Sequence, residues 1–196
     1  MASTPSDNGA IDGLIARVAA RAAAANPQPL PPVATDDKVA EAEKLLGFPL
    51  HPLLRRLYCE VADGGFGPDY LLLPLLAGDG SPSVNTVVGE YLDFIDEREN
   101  GRRVWPLGVV PILTYGCGMY GGVDCTNPDG AMLLYEPNGG PADPAEAWFL
   151  DAVSLATWLK GWIADIGWYR EESDLDDKPQ ELYLWDAASA RLAVEP

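Results

Sequence analysis

Residues 45–68 read LLGFPLHPLLRRLYCEVADGGFGP, and this stretch decides how the chain is built. Gly47 follows an apolar run and suits the position just past a helix end, where φ is positive and a Cβ is unwelcome. Pro49 cannot continue that helix. Pro52 fits the first turn of the next one, where a missing N–H costs nothing. From there Leu53, Leu54, Leu57, Tyr58 and Val61 recur at helical spacing and predict one apolar stripe against a core. Arg55, Arg56 and Glu60 fall off that stripe. Asp63, Gly64 and Gly65 end the helix, and residues 65–68 make a stiff turn with Phe66 as its aromatic plug.

On the N-terminal side, residues 1–9 are polar. Residues 11–25 are alanine-rich and predict a helix with Ile11, Leu14, Ile15 and Val18 on one side and Arg17 and Arg21 on another. This helix reads as an appended arm that docks on the domain or on a neighbour. Residues 26–32, NPQPLPP, form an extended, semi-rigid linker. The expected organisation is therefore an N-terminal helix and linker over 1–32, then a single domain over 33–196 with an acidic C-terminal extension. Thr35 is a good N-cap, and Asp36 and Asp37 favour the first turn of a helix over 36–46.

On the C-terminal side, residues 70–76, YLLLPLL, predict a strand interrupted at Pro74 or a strand followed by a turn. Residues 85–99 predict a third amphipathic helix with Val87, Val88, Tyr91, Leu92 and Ile95 inside. Glu90, Asp93, Asp96, Glu97 and Glu99 are expected mainly outside. From Glu60 to Glu99 the chain carries nine carboxylates against one base, Arg98. After Trp105 the period changes to that of strands: 109–113, 119–124 and 131–135 form an antiparallel meander joined at Tyr115-Gly116-Cys117-Gly118 and at Asn127-Pro128-Asp129-Gly130. Trp148 and Phe149 suggest a last strand. Residues 154–167 predict a helix with Leu155, Trp158, Leu159, Trp162 and Ile163 on its apolar side. Residues 171–177, EESDLDD, are an acidic surface segment, and 181–185 and 190–194 either add an edge strand or cover the sheet. The fold class is α+β: an antiparallel or mixed sheet with helices packed mainly on one face.

Composition narrows the function. The chain has 196 residues, 47% of them hydrophobic, and a formal net charge of -17. That length supports a sizeable core. The charge argues against a nucleic-acid or anionic-membrane surface and favours a basic partner. Three cysteines, Cys59, Cys117 and Cys125, do not describe a disulfide scaffold, and no run reaches the ~20 apolar residues of a membrane span. The expected compartment is the cytoplasm. His51 is the only histidine, expected on the surface where a helix starts, so no metal set or Cys–His or Ser–His pair can be assembled around a second one. Cys117 and Cys125 bracket a hairpin and read as thiols of a sheet. The glycines of GCGMYGG, 116–122, fit neither a dinucleotide fingerprint nor a P-loop. No catalytic residues, cofactor or metal are expected; a hydrolase using Asp124 and Asp129 is the enzymatic alternative.

The order of these elements resembles the SUKH superfamily, the group built around the fungal Smi/Knr cell-wall regulators, and is most similar to its bacterial members. The motifs that carry the resemblance are Leu46-Gly47 with Pro49-Leu50, the Gly64-Gly65 turn, the Pro111…Gly116…Asp124 strand pair, and the helix bearing Trp158 and Trp162. They span residues 36–167. The resemblance implies a non-catalytic binding module, an immunity protein that neutralises a bacterial toxin domain, often a nuclease, by direct binding. The alternative it leaves open is a regulatory or scaffolding protein with an endogenous partner. Within that frame the candidate partner-binding residues are Asp63, Phe66, Asp69, Glu90, Asp93, Glu97 and Tyr120. The carboxylates would meet basic clusters, with Phe66 and Tyr120 as anchors.

Overall fold

The computed structural model describes residues 5–26, 28–68, 71–99, 101–166 and 182–194. Its N-terminal half is helical. Helix α1 runs Pro5–Ala25, α2 Asp36–Leu46, α3 Pro52–Glu60 and α4 Val87–Asp96. The ends of α2 follow from its sequence: Thr35 accepts from the Lys38 N–H, and Gly47, at φ 83°, closes the helix onto the Glu43 carbonyl. Pro52 opens α3, whose Leu53, Leu54, Leu57 and Tyr58 are buried. The apolar side of α1 is longer than its alanines suggest. Leu14, Ile15, Val18 and Ala22 are buried in the same hydrophobic cluster as the rest of the chain, and α1 packs on α3 and on α5, Leu155–Ile163.

The second half is a sheet. Strands β1, Arg98–Glu99, and β2, Arg102–Arg103, form a short hairpin after α4. Strands β3 Val109–Gly116, β4 Met119–Asp124, β5 Met132–Tyr135, β6 Trp148–Ala152 and β7 Tyr183–Leu184 then pair in that order, each antiparallel to the next. The expected meander is present, and β7 is the edge strand that residues 181–185 suggested. The sheet is antiparallel throughout. Every residue of β5 is buried, so the centre of the sheet is covered on both faces. Tyr120, Tyr135 and Trp148 stand in register across β4, β5 and β6. Against them sits Trp105, which is fully buried, edge-on to Trp148 at 4.7 Å and stacked on Phe94 at 4.4 Å. A short helix α6, Ala188–Leu192, follows β7 and sends Arg191 onto the buried carboxylate of Asp124, with N–O distances of 2.6 and 3.2 Å.

Three expectations are corrected here. The 70–76 run is not a strand: over its described residues it is an extended connector that reaches β3 through one bond, Leu73 N–H to the Ile112 carbonyl. Leu71 at φ 58° and the missing N–H of Pro74 prevent a ladder. The helix expected over 85–99 stops at Asp96, because the chain turns back into β1 and β2. His51 is buried rather than exposed; its Nε2 lies 3.1 Å from the Pro128 carbonyl of the turn before β5. The acidic segment 171–177 lies outside the described residues.

The connector is fastened to the glycine exit of α3. Gly65 N–H donates to the Leu72 carbonyl, Leu72 N–H to Phe66, and the Tyr58 hydroxyl to Leu73 at 2.8 Å. Asp63 completes this clasp. Its carboxylate takes the Lys38 ammonium on one oxygen and the Leu75 N–H, at 3.0 Å, on the other. The pair is 22% and 12% exposed, lysine first. Removing one partner strands the other in a partly dry site. Asp63→Ala is therefore expected to lower stability by ~2–3 kcal/mol in urea unfolding, with the orphaned Leu75 N–H included.

Candidate functional site

The face to which the sequence points is the C-terminal half of α4 with the β1–β2 hairpin. Thr86 caps α4 by accepting from the Gly89 N–H, and this fixes which residues turn inward. Asp93, Asp96, Glu97 and Glu99 are exposed. None of the four has an ion-pair or hydrogen-bond partner for its carboxylate among the described residues. The arginines nearby are engaged elsewhere. Arg98 donates back to the Ile95 and Glu97 carbonyls at 2.8 and 2.9 Å, Arg102 pairs with Asp143 at 2.9 Å, and Arg103 is buried on the Ile95 carbonyl. The result is an exposed edge of net negative charge, four carboxylates and Arg98, with none of the carboxylates ion-paired among the described residues.

Other candidates occupy different positions. Glu90 is 8% exposed, not outward: its carboxylate accepts from the Asn85 N–H at 2.7 Å and from the Tyr120 hydroxyl at 3.0 Å. It reaches back over the start of the helix, so its charge is spent inside the fold. Tyr120 is half-buried and is held by that bond. Phe66 is fully buried in the core: it has no accessible surface and lies 6.5 Å from the Trp162 ring. Gly64 and Gly65 turn it inward, so it is not an anchor for a partner. Asp63 is engaged by Lys38 and lines a different groove, of about 500 Å³, beside Pro31 and Leu72. Asp69 lies outside the described residues. The structure thus gathers Asp93 and Glu97 with Asp96 and Glu99 on one edge and ties Glu90 to Tyr120 beneath it.

Burial sets the tyrosines apart. Burial first, and then the Glu90 carboxylate, push the Tyr120 hydroxyl up to about 12. Burial, and then the fields of Glu97 and Glu99, push Tyr135 up to about 12 as well. Both groups are raised from an ordinary 10, so folding favours the neutral phenol. Their contribution is fully present below pH 10 and is lost as pH rises through 12. Phenolate absorbance is expected to rise together with loss of the folded circular-dichroism signal in that window. Tyr135→Phe, which sacrifices no hydrogen bond among the described residues, is expected to move the alkaline midpoint upward.

The enzymatic alternative loses its first member. Asp124 is 3% exposed and is clamped by Arg191 and by the Thr126 N–H and hydroxyl. No group of three or more His, Cys, Asp or Glu side chains among the described residues is placed to hold a metal ion. The three cysteines are free, with Cys117 exposed at the β3–β4 turn and the Cys125 thiol pushed up to about 12 by burial. No described helix is long and apolar enough to cross a membrane.

A protein-family model, the SMI1 / KNR4 family (SUKH-1), matches residues 33–161. The chain belongs to that family. No curated protein matches it. The SMI1 / KNR4 match begins just before α2 and ends inside α5, so it contains the clasp, the acidic edge and strands β1 to β6. Helices α1 and α6 and strand β7 lie outside it. The matched range covers the α2–α3 break, α4 with its carboxylates, and the meander.

Proposed function

We propose that this SMI1 / KNR4 family member is a non-catalytic immunity protein that acts in the cytoplasm by binding and occluding a basic bacterial toxin domain, a nuclease being the fitting class. A nuclease holds phosphates with lysine and arginine clusters, and an acidic edge competes for those clusters. The observation that carries the reading is the run Asp93, Asp96, Glu97, Glu99: four exposed carboxylates, none ion-paired among the described residues, against the single exposed cation Arg98 within the run. Such an arrangement is unfavourable in the free protein and is relieved by a partner of opposite sign. It accelerates encounter more than it deepens affinity. Family membership and the three free thiols, which suit a reducing compartment, support the same reading.

The test uses a toxin domain of the kind this reading predicts, sought among the genes beside this one. The triple charge reversal Asp93→Lys, Asp96→Lys, Glu97→Lys is expected to slow association at least tenfold at low salt, with a smaller effect at high salt, where screening already weakens the field. All three side chains are exposed, so the fold is expected to survive. An association rate equal to that of the unaltered protein at low salt would overturn the electrostatic mechanism.

A further inference from the structure

Beside the acidic edge lies a cleft of about 440 Å³. Its walls come from four separate parts of the chain: residues 94–99, which bring Phe94, Glu97, Arg98 and Glu99; Val104; Gly118 in the β3–β4 turn; and residues 135–147, which bring Tyr135, Pro137 and Pro141. Phe94 is held rigid, stacked on Trp105 at 4.4 Å with an interplanar angle of 9° and met edge-on by Tyr120 at 4.8 Å. Tyr135 is 9% exposed, yet its hydroxyl has no hydrogen-bond partner among the described residues. Its hydroxyl is not sealed from solvent, and Tyr135 lines the cleft, so the group is open to a partner there. Glu97 and Glu99 are close enough for their fields to act on that hydroxyl. Arg98, itself on the cleft wall, donates to the Ile95 and Glu97 carbonyls, and Arg102 pairs with Asp143, so neither is ion-paired with Glu97 or Glu99.

We infer that this cleft receives an arginine side chain of the protein partner, the guanidinium lying between the Phe94 and proline walls and donating to Glu97, Glu99 and the Tyr135 hydroxyl. The inference rests on the reading of the acidic edge as a partner-binding face. The chemistry of the cleft selects this occupant. Aromatic and proline walls suit a flat, weakly hydrated cation, and two carboxylates with a hydroxyl acceptor match the donors of a guanidinium fork. A carboxylate or phosphate would be repelled. A neutral apolar side chain would leave both glutamates desolvated without a partner. Lysine offers the charge without the planar surface. Because the Phe94–Trp105 stack is formed before binding, little ordering is needed when the cleft fills.

The test titrates an acetylated hexaarginine peptide into the full chain at low salt, reading tryptophan fluorescence, since Trp105 lies directly behind Phe94, and heat. Hexalysine and hexacitrulline peptides run alongside. Hexaarginine is expected to bind, hexalysine at least threefold more weakly, and hexacitrulline not at all. The double variant Glu97→Gln, Glu99→Gln is expected to weaken hexaarginine at least tenfold, and Tyr135→Phe about threefold. Asp93→Asn with Asp96→Asn, on the same edge but outside the cleft, serves as the comparison and is expected to weaken it less than the glutamate pair does. The cleft assignment is overturned if the two double variants have equal effects, if hexalysine binds as tightly as hexaarginine, or if hexaarginine does not bind. Any of these leaves the immunity reading to stand or fall separately on the association rate of the toxin domain with the triple charge reversal.

Discussion

Trp105→Ala is expected to lower the free energy of unfolding by about 4–5 kcal/mol, the upper range for removing a large aromatic from a core. Trp105 has no accessible surface. Its ring touches Phe94, Tyr120, Tyr135 and Trp148, with centroids 4.4 to 6.1 Å away. Its Nε1–H donates to the Val109 carbonyl at 2.7 Å, tying the segment before β3 to the strand itself. Truncation therefore opens a cavity and also removes one buried hydrogen bond. Domains of this kind are stable by only about 5–15 kcal/mol, so the variant should sit near the edge of folding at ordinary temperature. Urea unfolding checks it, with the midpoint expected to fall while the slope is unchanged. Trp105→Phe keeps a ring in the cluster and should recover more than half of the loss. A loss below ~2 kcal/mol for the alanine variant would mean that the neighbours collapse into the space, contrary to the tight packing described.

Gly64→Ala is expected to cost about 3 kcal/mol, whereas Gly47→Ala costs ~1 kcal/mol, although both glycines have nearly the same backbone conformation. Gly64 has φ 80° and Gly47 φ 83°. The left-handed conformation penalises both substitutions alike. What differs is the space. A Cβ on Gly64 would lie 2.7 Å from the Leu73 carbonyl carbon and the Pro74 nitrogen and 2.8 Å from the Leu72 oxygen, all backbone atoms that cannot swing aside. A Cβ on Gly47 meets nothing within 4 Å. The difference in unfolding free energy between the two variants isolates the close approach of the connector to the exit of α3. Equal losses would show that the connector gives way without penalty.

Much of the fold was legible because its signals are local. Thr35, Gly47 and Pro52 mark helix ends through their own backbone chemistry, and the Asn127–Gly130 turn announces the meander in four residues. Two of the errors share a cause: Phe66 and His51 each depend on where a distant segment lies. Phe66 sits among glycines, a context that reads as a surface turn. Only the return of residues 71–75 against that turn makes it core. Glu90 looked outward because the helix was begun at Asn85; with Thr86 as the cap, the same glutamate reaches back to the Asn85 N–H. Recognition of Thr86 as an N-cap was the available signal. His51 is buried by a contact with Pro128, 77 residues away. Asp93 and Glu97 were placed outside correctly, because an amphipathic stripe settles that question within one helix. The cleft could not be read at all. Its lining comes from four segments that only the folded chain brings together.

The salt bridge from Arg191 to Asp124 reaches across the boundary of the family match. Asp124, inside the match, is almost fully enclosed, and the guanidinium that neutralises it comes from a helix that the match leaves out. The same holds at the other end, where Leu14, Ile15 and Val18 close a surface of α3 and α5. A chain trimmed to residues 33–161 would keep every hallmark by which its kinship is recognised and would still carry an enclosed anion without its cation and a bare greasy flank. Kinship and self-sufficiency are therefore different lengths of the same polypeptide, and the shorter one invites self-association.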